Sequence, residues 1–340
     1  MSQSALFELL DTQSSNLFDE QGFAVHCPMV LIALSRMGAS EPQLRSYFEN
    51  WQKENPALSK VSRTIHSEIR RDTWLGSLNQ VGDFGPLQYF FQTWIERTSV
   101  DAVMAEVLSQ IPPAPASVAF HGIIRLAYGL EINHQGEIAA GLAALVLRNF
   151  PIHLPLSAGG SHVGSVSAGL AHLSARMPAF TTDEVNITAR MRAVIADPRF
   201  VPSLPTMPEN PFEDMALSAI TLYLQTENFT TLHMVTSLHA ARIIFARLPA
   251  GLYHNYLPAL WAAYCAAYVS IGAPQIRSVA SQQIKLPEWN TLFGQACNSK
   301  RDHMIKLIYT CYQEYLHSDE TGTKGLYLAA ANAILHNEFN

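Results

Sequence analysis

Thirteen histidines stand in a chain of 340 residues of which only 15% are charged, and several fall inside apolar runs, where an unpaired imidazole is costly to bury. Four segments concentrate this chemistry. His26 lies in FAVHCPMVLIAL, directly before Cys27 and Pro28, where an inward-facing ring at a helix entry is available to a metal or a polar ligand. His121 opens HGIIRLAYGLEI, and about 100° of turn per residue puts Arg125 and Tyr128 on its face of a helix. TTLHMVTSLHAARII holds His233 and His239 six residues apart, roughly 120° around a helix, so the two do not share one ion. His233 is the preferred ligand, because Thr236, Ser237 and Ala240 leave room beside it, and His239 takes a supporting or structural place. In KRDHMIKLIYTCYQEY, His303 and Lys306 are three apart, which suits two ligands to one centre. Asp302, one position from His303, is expected to point around the helix from that face.

Each segment also has a reading without a ligand. His26 fits a capping or hydrogen-bonded histidine, the line of His121, Arg125 and Tyr128 an internally satisfied hydrogen-bond row, and Asp302, His303 and Lys306 a surface cluster at a helix start. The remaining histidines fall near expected helix ends, turns or the C-terminal tail, or lack an accompanying polar face. No GxSxG elbow, Walker loop, HExxH or kinase signature occurs, and the glycines of PIHLPLSAGGSHVG, residues 151–164, lack GxGxxG spacing and follow no strand.

The elements that must hold these residues are helices. Apolar positions recur at helical spacing almost throughout, as in Met29, Leu31, Ile32, Leu34 and Met37, and two-residue alternation is scarce. An all-α protein follows, with helices expected near 27–37, 41–53, 58–71, 84–109, 116–131, 134–148, 162–176, 183–197, 211–226, 230–247, 251–272, 288–297, 299–316 and 321–337. Gly38 reads as a helix stop, and Ser40 before Glu41 and Pro42 as a helix start. No period of 34 or 40 residues recurs, so the expectation is one compact multi-helix domain over 1–340 rather than a solenoid. Five prolines between Asp197 and Pro211 mark a crossing at 197–211 between two helical lobes, about 1–196 and 212–340, placed around a buried site.

Composition narrows the partners. Hydrophobic residues make up 48% and mean hydropathy is +0.07, which excludes a disordered chain. The net charge is −6 with no basic stripe, so nucleic acid has no electrostatic support. Cys27, Cys265, Cys297 and Cys311 form no CxxC pair, which fits reduced thiols in a cytoplasmic protein. The N-terminus does not read as a secretory signal, and the charge-free stretch between Arg247 and Arg277 is broken by prolines, so a core helix is expected there rather than a membrane span.

Taken together, FAVHCPMVLIALSRMGAS, AFHGIIRLAYGLEI, LHMVTSLHAARII and RDHMIKLIYTC resemble the questin oxidase-like family in order, separation and the histidine in each segment, over about residues 20–335. The resemblance implies an all-helical fold and oxygen-dependent ring opening of anthraquinones and related aromatic polyketides, formally like a Baeyer-Villiger oxidation. It further implies a buried non-haem metal, iron, held by His26, His121, His233 and His303, with Lys306 as a carbamate ligand formed from carbon dioxide. The chain departs from the fungal pattern, which has an asparagine where Val25 stands, and looks shorter than the fungal members, so the resemblance does not specify a substrate.

The leading expectation is therefore a cytoplasmic, iron-dependent oxygenase that takes dioxygen and a polycyclic or quinone-like aromatic, with Arg125 or Tyr128 orienting an oxyanion and Thr236, His239 and Asp302 supporting the ligands. No flavin or nicotinamide fold is legible, so any reducing equivalents come from a diffusible donor such as NADPH or from the substrate itself. Two other classes stay open: a non-catalytic helical protein that encloses an apolar ligand, and a zinc hydrolase with three ligands and an open position.

Overall fold

Apolar residues at three- and four-residue spacing can be buried only by packing helix on helix, and that is the architecture. The computed structural model describes residues 3–13, 24–56, 58, 69–152, 164–277 and 286–337, and among them are sixteen α-helices, a few 3₁₀ turns and no strand. The first half holds α1 (Gln3–Gln13), α2 (Cys27–Arg36), α3 (Glu41–Glu54), α4 (Phe84–Arg97), α5 (Val100–Gln110), α6 (His121–Ile132), α7 (Gln135–Leu147), α8 (Val166–Arg176) and α9 (Ile187–Ala196). A single turn, α10 (Phe200–Ser203), leads to α11 (Phe212–Thr226), α12 (Phe229–Phe245), α13 (Ala250–Ser270), α14 (Trp289–Cys297), α15 (Asp302–His317) and α16 (Thr321–Ala333).

Helices of the two halves interleave. From the first half, α2 packs on α15 and α6 packs on α12, while α12 also packs on α15. The site described below lies among these four. Helix α6 is fixed from behind by α7, and Gly141 permits the contact: a Cβ there would stand 2.5 Å from the backbone nitrogen and Cα of Leu126. Contact of helix backbones at that range requires the absence of a side chain.

Several boundaries differ from the sequence expectation for identifiable reasons. The run expected at 84–109 is two helices, because Ser99 caps α5 by accepting a hydrogen bond from the Ala102 amide at 3.2 Å. The helix expected from 116 starts at His121, since Val118, Ala119 and Phe120 take positive φ angles of 54°, 51° and 70°. Helix α1 was not anticipated; its buried Leu6, Leu9 and Leu10 dock it on α2 and α3. Most of the helix expected at 58–71 and most of the loop at 151–164 lie outside the described residues.

The proline-rich crossing is packed rather than free. Phe200, Ser203 and Leu204 are buried, and the Pro205 carbonyl accepts a hydrogen bond from the Trp261 indole at 3.0 Å. The charge-free segment forms α13 with Pro258 inside it, buried along Leu260 to Ser270. No helix among the described residues is long and apolar enough to cross a membrane.

Candidate metal centre

Four helix beginnings supply the four histidines. His26 immediately precedes α2, which Pro28 helps to start, and His121 is the first residue of α6. His233 lies early in α12, where Asn228 caps the helix through a 2.8 Å bond from the Thr230 amide. His303 follows Asp302 in the first turn of α15, a turn held down by two bonds from the Arg301 guanidinium to the Ile334 and Leu335 carbonyls.

The structure brings these four rings together. Ring centroids are 4.8 Å apart for His26 and His121, 4.6 Å for His26 and His303, 5.0 Å for His121 and His233, and 5.3 Å for His233 and His303. Donor atoms of His26, His121 and His303 all lie within 4.8 Å of one another. Phe229 packs an edge against both His233 and His303 at 4.6 Å and closes one side.

The orientation of each ring is set by its other nitrogen. His121 Nδ1 is 2.8 Å from the Val118 carbonyl and His233 Nδ1 is 2.8 Å from the Phe229 carbonyl. A carbonyl only accepts, so both Nδ1 atoms carry hydrogen and both Nε2 atoms are left with a lone pair. His26 Nδ1 lies 3.4 Å from the Asp302 carboxylate, and that carboxylate accepts a 2.7 Å bond from the Tyr47 hydroxyl. This corrects the expected direction of Asp302: it reaches from the start of α15 to the ring on α2. Imidazoles held through one nitrogen by carbonyls and a carboxylate are the arrangement that fixes metal ligands. The three successive left-handed residues before His121 belong to the same device. A β-branched residue such as Val118 rarely adopts that conformation, and here it aims the carbonyl that holds His121.

Electrostatics keep the rings neutral. Burial, reinforced by the Lys306 charge, lowers His233 to about 3 and holds His26, His121 and His303 well below the ordinary histidine value. Burial also lowers Lys306 to about 7, partly opposed by Asp302. His303 and Lys306 are each 3% exposed, so they are not a surface cluster.

The remaining expected residues lie around this group. Arg125 is one turn below His121, and its guanidinium donates to the Glu137 carboxylate at 2.7 and 3.1 Å. A narrow crevice lined by Ala24, Val25, Val118, His121, Gly122 and Arg125 touches the cluster. Tyr128 packs against Tyr309, ring centroids 5.6 Å apart. Thr236 is buried, its hydroxyl donating to the His233 carbonyl at 3.3 Å. His239 is engaged elsewhere, with Nδ1 2.9 Å from Glu314 and Nε2 3.5 Å from Glu131. The roles of Val118, Tyr47, Phe229, Glu131, Glu137 and Glu314 were not read from the sequence. Only Glu314 left a signal there, at the end of the four-residue rhythm Lys306, Thr310, Glu314 on α15.

The donor set suits a divalent transition ion. Neutral imidazoles can serve as metal ligands, His121 and His233 keep an Nε2 lone pair, and a lysine amine lowered to about 7 can give up its proton to reach the form that reacts with carbon dioxide. A sequence profile described as Questin oxidase-like matches residues 23–311, a span that includes all four histidines and Lys306. No curated protein matches the chain. On that match, the chain belongs to the questin oxidase-like family.

Proposed function

We propose that this protein is a non-haem iron oxygenase that oxidises a polycyclic, quinone-like aromatic of the polyketide type with dioxygen, opening a ring. The observation that carries the reading is the 2.8 Å approach of His26 Nε2 and His121 Nε2. The His121 Nε2 lone pair, left free because its Nδ1 donates to the Val118 carbonyl, meets His26 Nε2 at a separation that two ligands of one cation adopt. Family membership supports the oxidoreductase class and an aromatic substrate.

His26, His121, His233 and His303 would hold the ion, and Lys306 as a carbamate would add the anionic oxygen that four neutral rings lack. Carbamate formation is balanced within the site: the neutral amine nitrogen bonds to the carbon of carbon dioxide and releases one proton. When bound, the iron supplies a site at which dioxygen and an enolate oxygen of the substrate are activated. The chain's own residues do the rest. Val118, Phe229 and Asp302 orient the rings, Phe229 excludes water from one side, and Arg125, fixed by Glu137, presents positive charge at the crevice wall to an oxyanion of the substrate.

The reading is tested by supplying ferrous iron and a panel of anthraquinones under dioxygen and following oxygen uptake together with product mass. Oxygen incorporation that is lost in His121→Ala is the expected result. Uptake that is absent throughout, or unchanged in the variant, would overturn it.

A further inference from the structure

A buried histidine outside the four-ring group stands where a helix more often begins on serine, threonine or asparagine. His134 is the N-cap of α7, and its Nδ1 accepts a 3.1 Å hydrogen bond from the Glu137 amide. An amide only donates, so Nδ1 carries the lone pair and Nε2 the hydrogen, the reverse of the tautomer at His121 and His233. Nε2 lies 3.3 Å from the carboxylate of Asp11, an exposed residue of α1. Phe7, one turn earlier on α1, packs an edge on the same ring with centroids 4.8 Å apart. Asparagine or serine would cap α7 equally well. Only an imidazole has a second nitrogen on its opposite edge, and here that nitrogen joins the cap to α1.

The residue that His134 caps is also the one that holds Arg125. Glu137 is fully buried; its amide is tied to His134, and its carboxylate accepts both bonds from the Arg125 guanidinium. That amide is among the first four of α7, which have no partner within the helix, so the cap decides whether the turn that carries Glu137 stays closed. The neighbouring contacts hold this turn against α6. Gln88 donates to the Gly136 carbonyl at 3.3 Å, and Gly129 on α6 lies so near that a Cβ there would stand 2.7 Å from the Ile138 nitrogen. Arg125 in turn lines the crevice that reaches His121. Asp11, His134, Glu137 and Arg125 thus form one line of contacts from α1 to the crevice, and a site group is placed accurately only when such a supporting line fixes it.

We propose that His134 is a positioning residue for Arg125: it closes the first turn of α7 and so fixes the Glu137 carboxylate that aims the guanidinium, while Asp11 holds the ring in the tautomer that caps. Helix α1 is then part of the support of the crevice. What Arg125 does for a substrate rests on the oxygenase reading above; the line of contacts that places it does not. Neither His134 nor Asp11 touches substrate. A graded order of effects follows. Alanine at 134 removes cap and link together, asparagine restores the cap because its side-chain oxygen accepts the same amide, and loss of Asp11 frees the ring to take the tautomer that cannot cap.

The test reads Arg125 directly in the metal-free full chain, through its guanidinium Nε–H signal in nitrogen-15 NMR, assigned by its loss in Arg125→Lys. In His134→Ala the signal should shift and its hydrogen exchange with solvent should quicken roughly 5- to 10-fold; Asp11→Ala should act in the same direction and less, and His134→Asn should resemble the wild type. Asn186→Ala is the control. It removes a cap of the same kind from α9, where Asn186 accepts from the Ala189 amide at 2.8 Å, and should lower the melting temperature while leaving the Arg125 signal in place. In the iron-loaded protein with a monohydroxyanthraquinone under dioxygen, kcat should fall on the order of 10- to 100-fold in His134→Ala, recover in His134→Asn and stay at the wild-type rate in Asn186→Ala. An Arg125 signal unmoved in both His134→Ala and Asp11→Ala, moved equally in Asn186→Ala, or not restored in His134→Asn overturns the proposal, as does a kcat that stays constant while the signal moves. A signal that follows the expected order in a wild type that oxidises no anthraquinone overturns the oxygenase reading and leaves the placement of Arg125 by His134 standing.

Discussion

The Nε2 atoms of His26 and His121 face each other across 2.8 Å, although the two residues are 95 positions apart and sit at the starts of different helices. Each ring is fixed from its other side, His121 by the Val118 carbonyl and His26 by the Asp302 carboxylate. Removing Asp302 should therefore act through His26. Asp302→Ala is expected to weaken iron binding about 10- to 100-fold, less than His26→Ala, as read by competition with a chelator.

The two histidines of α12 separate by consequence. His233→Ala should abolish metal binding with a small effect on the apoprotein. His239→Ala should leave metal bound but destabilise the fold by about 3 kcal/mol or more, because Glu131 and Glu314 lose the cation between them. Chemical denaturation and metal content, measured on both variants, decide the ranking, and the opposite pattern would transfer the ligand role to His239.

That ion cluster also predicts a pH dependence of stability. Burial alone disfavours the His239 imidazolium, but Glu131 and Glu314 outweigh it and raise the group to about 9 from 6.5. Its contribution is fully present below pH 6.5 and is lost as pH rises through 9. Glu314, also opposed by burial, is held at about 2 by His239 and Arg242 instead of 4.5, so its contribution is present above pH 4.5 and lost as pH falls through 2. Melting temperature should fall between pH 6.5 and 9.5 in the wild type, and fall less in His239→Gln. The remaining charged and titratable groups against the cluster, Tyr309, Arg242, Glu213 and His317, are common to both proteins.

Much of this was legible in the sequence, and the limits have physical causes. Apolar periodicity gave the helices, and histidines inside such runs pointed to His26, His121, His233 and His303. The position of His239 followed from a 120° offset. Spacing along one helix says nothing of another, so the pairing of Asp302 with His26 and of His239 with Glu131 and Glu314 was invisible. Nor does a pattern of side chains reveal backbone: the left-handed turn at Val118, Ala119 and Phe120 carries no glycine to signal it.

Close packing behind α6 gives a prediction free of any metal. Gly141→Ala should cost roughly 1–3 kcal/mol, since the new methyl meets Leu126 backbone rather than a movable side chain. Gly294→Ala in α14, where a Cβ meets nothing within 4 Å, should instead stabilise by roughly 0.5–1 kcal/mol. Denaturation midpoints of the two variants should shift in opposite directions.

For Lys306, charge and carbamate formation predict different outcomes. Lys306→Arg retains a cation but cannot take up carbon dioxide, so it should lose iron, whereas Lys306→Glu supplies a carboxylate and should keep part of it. Labelled carbon dioxide should give a carbamate carbon signal in the wild type that is absent from both variants. Full iron occupancy in Lys306→Arg would leave a site of histidines alone.

Elemental analysis of the protein, purified without chelator or a metal-affinity tag, bears most directly on the claim that four histidines share one ion. The account predicts about one iron per chain, lost in His26→Ala and in His121→Ala. Protein that carries no metal, or carries iron undiminished in those variants, would contradict it, and stoichiometric zinc in its place would point to the hydrolase.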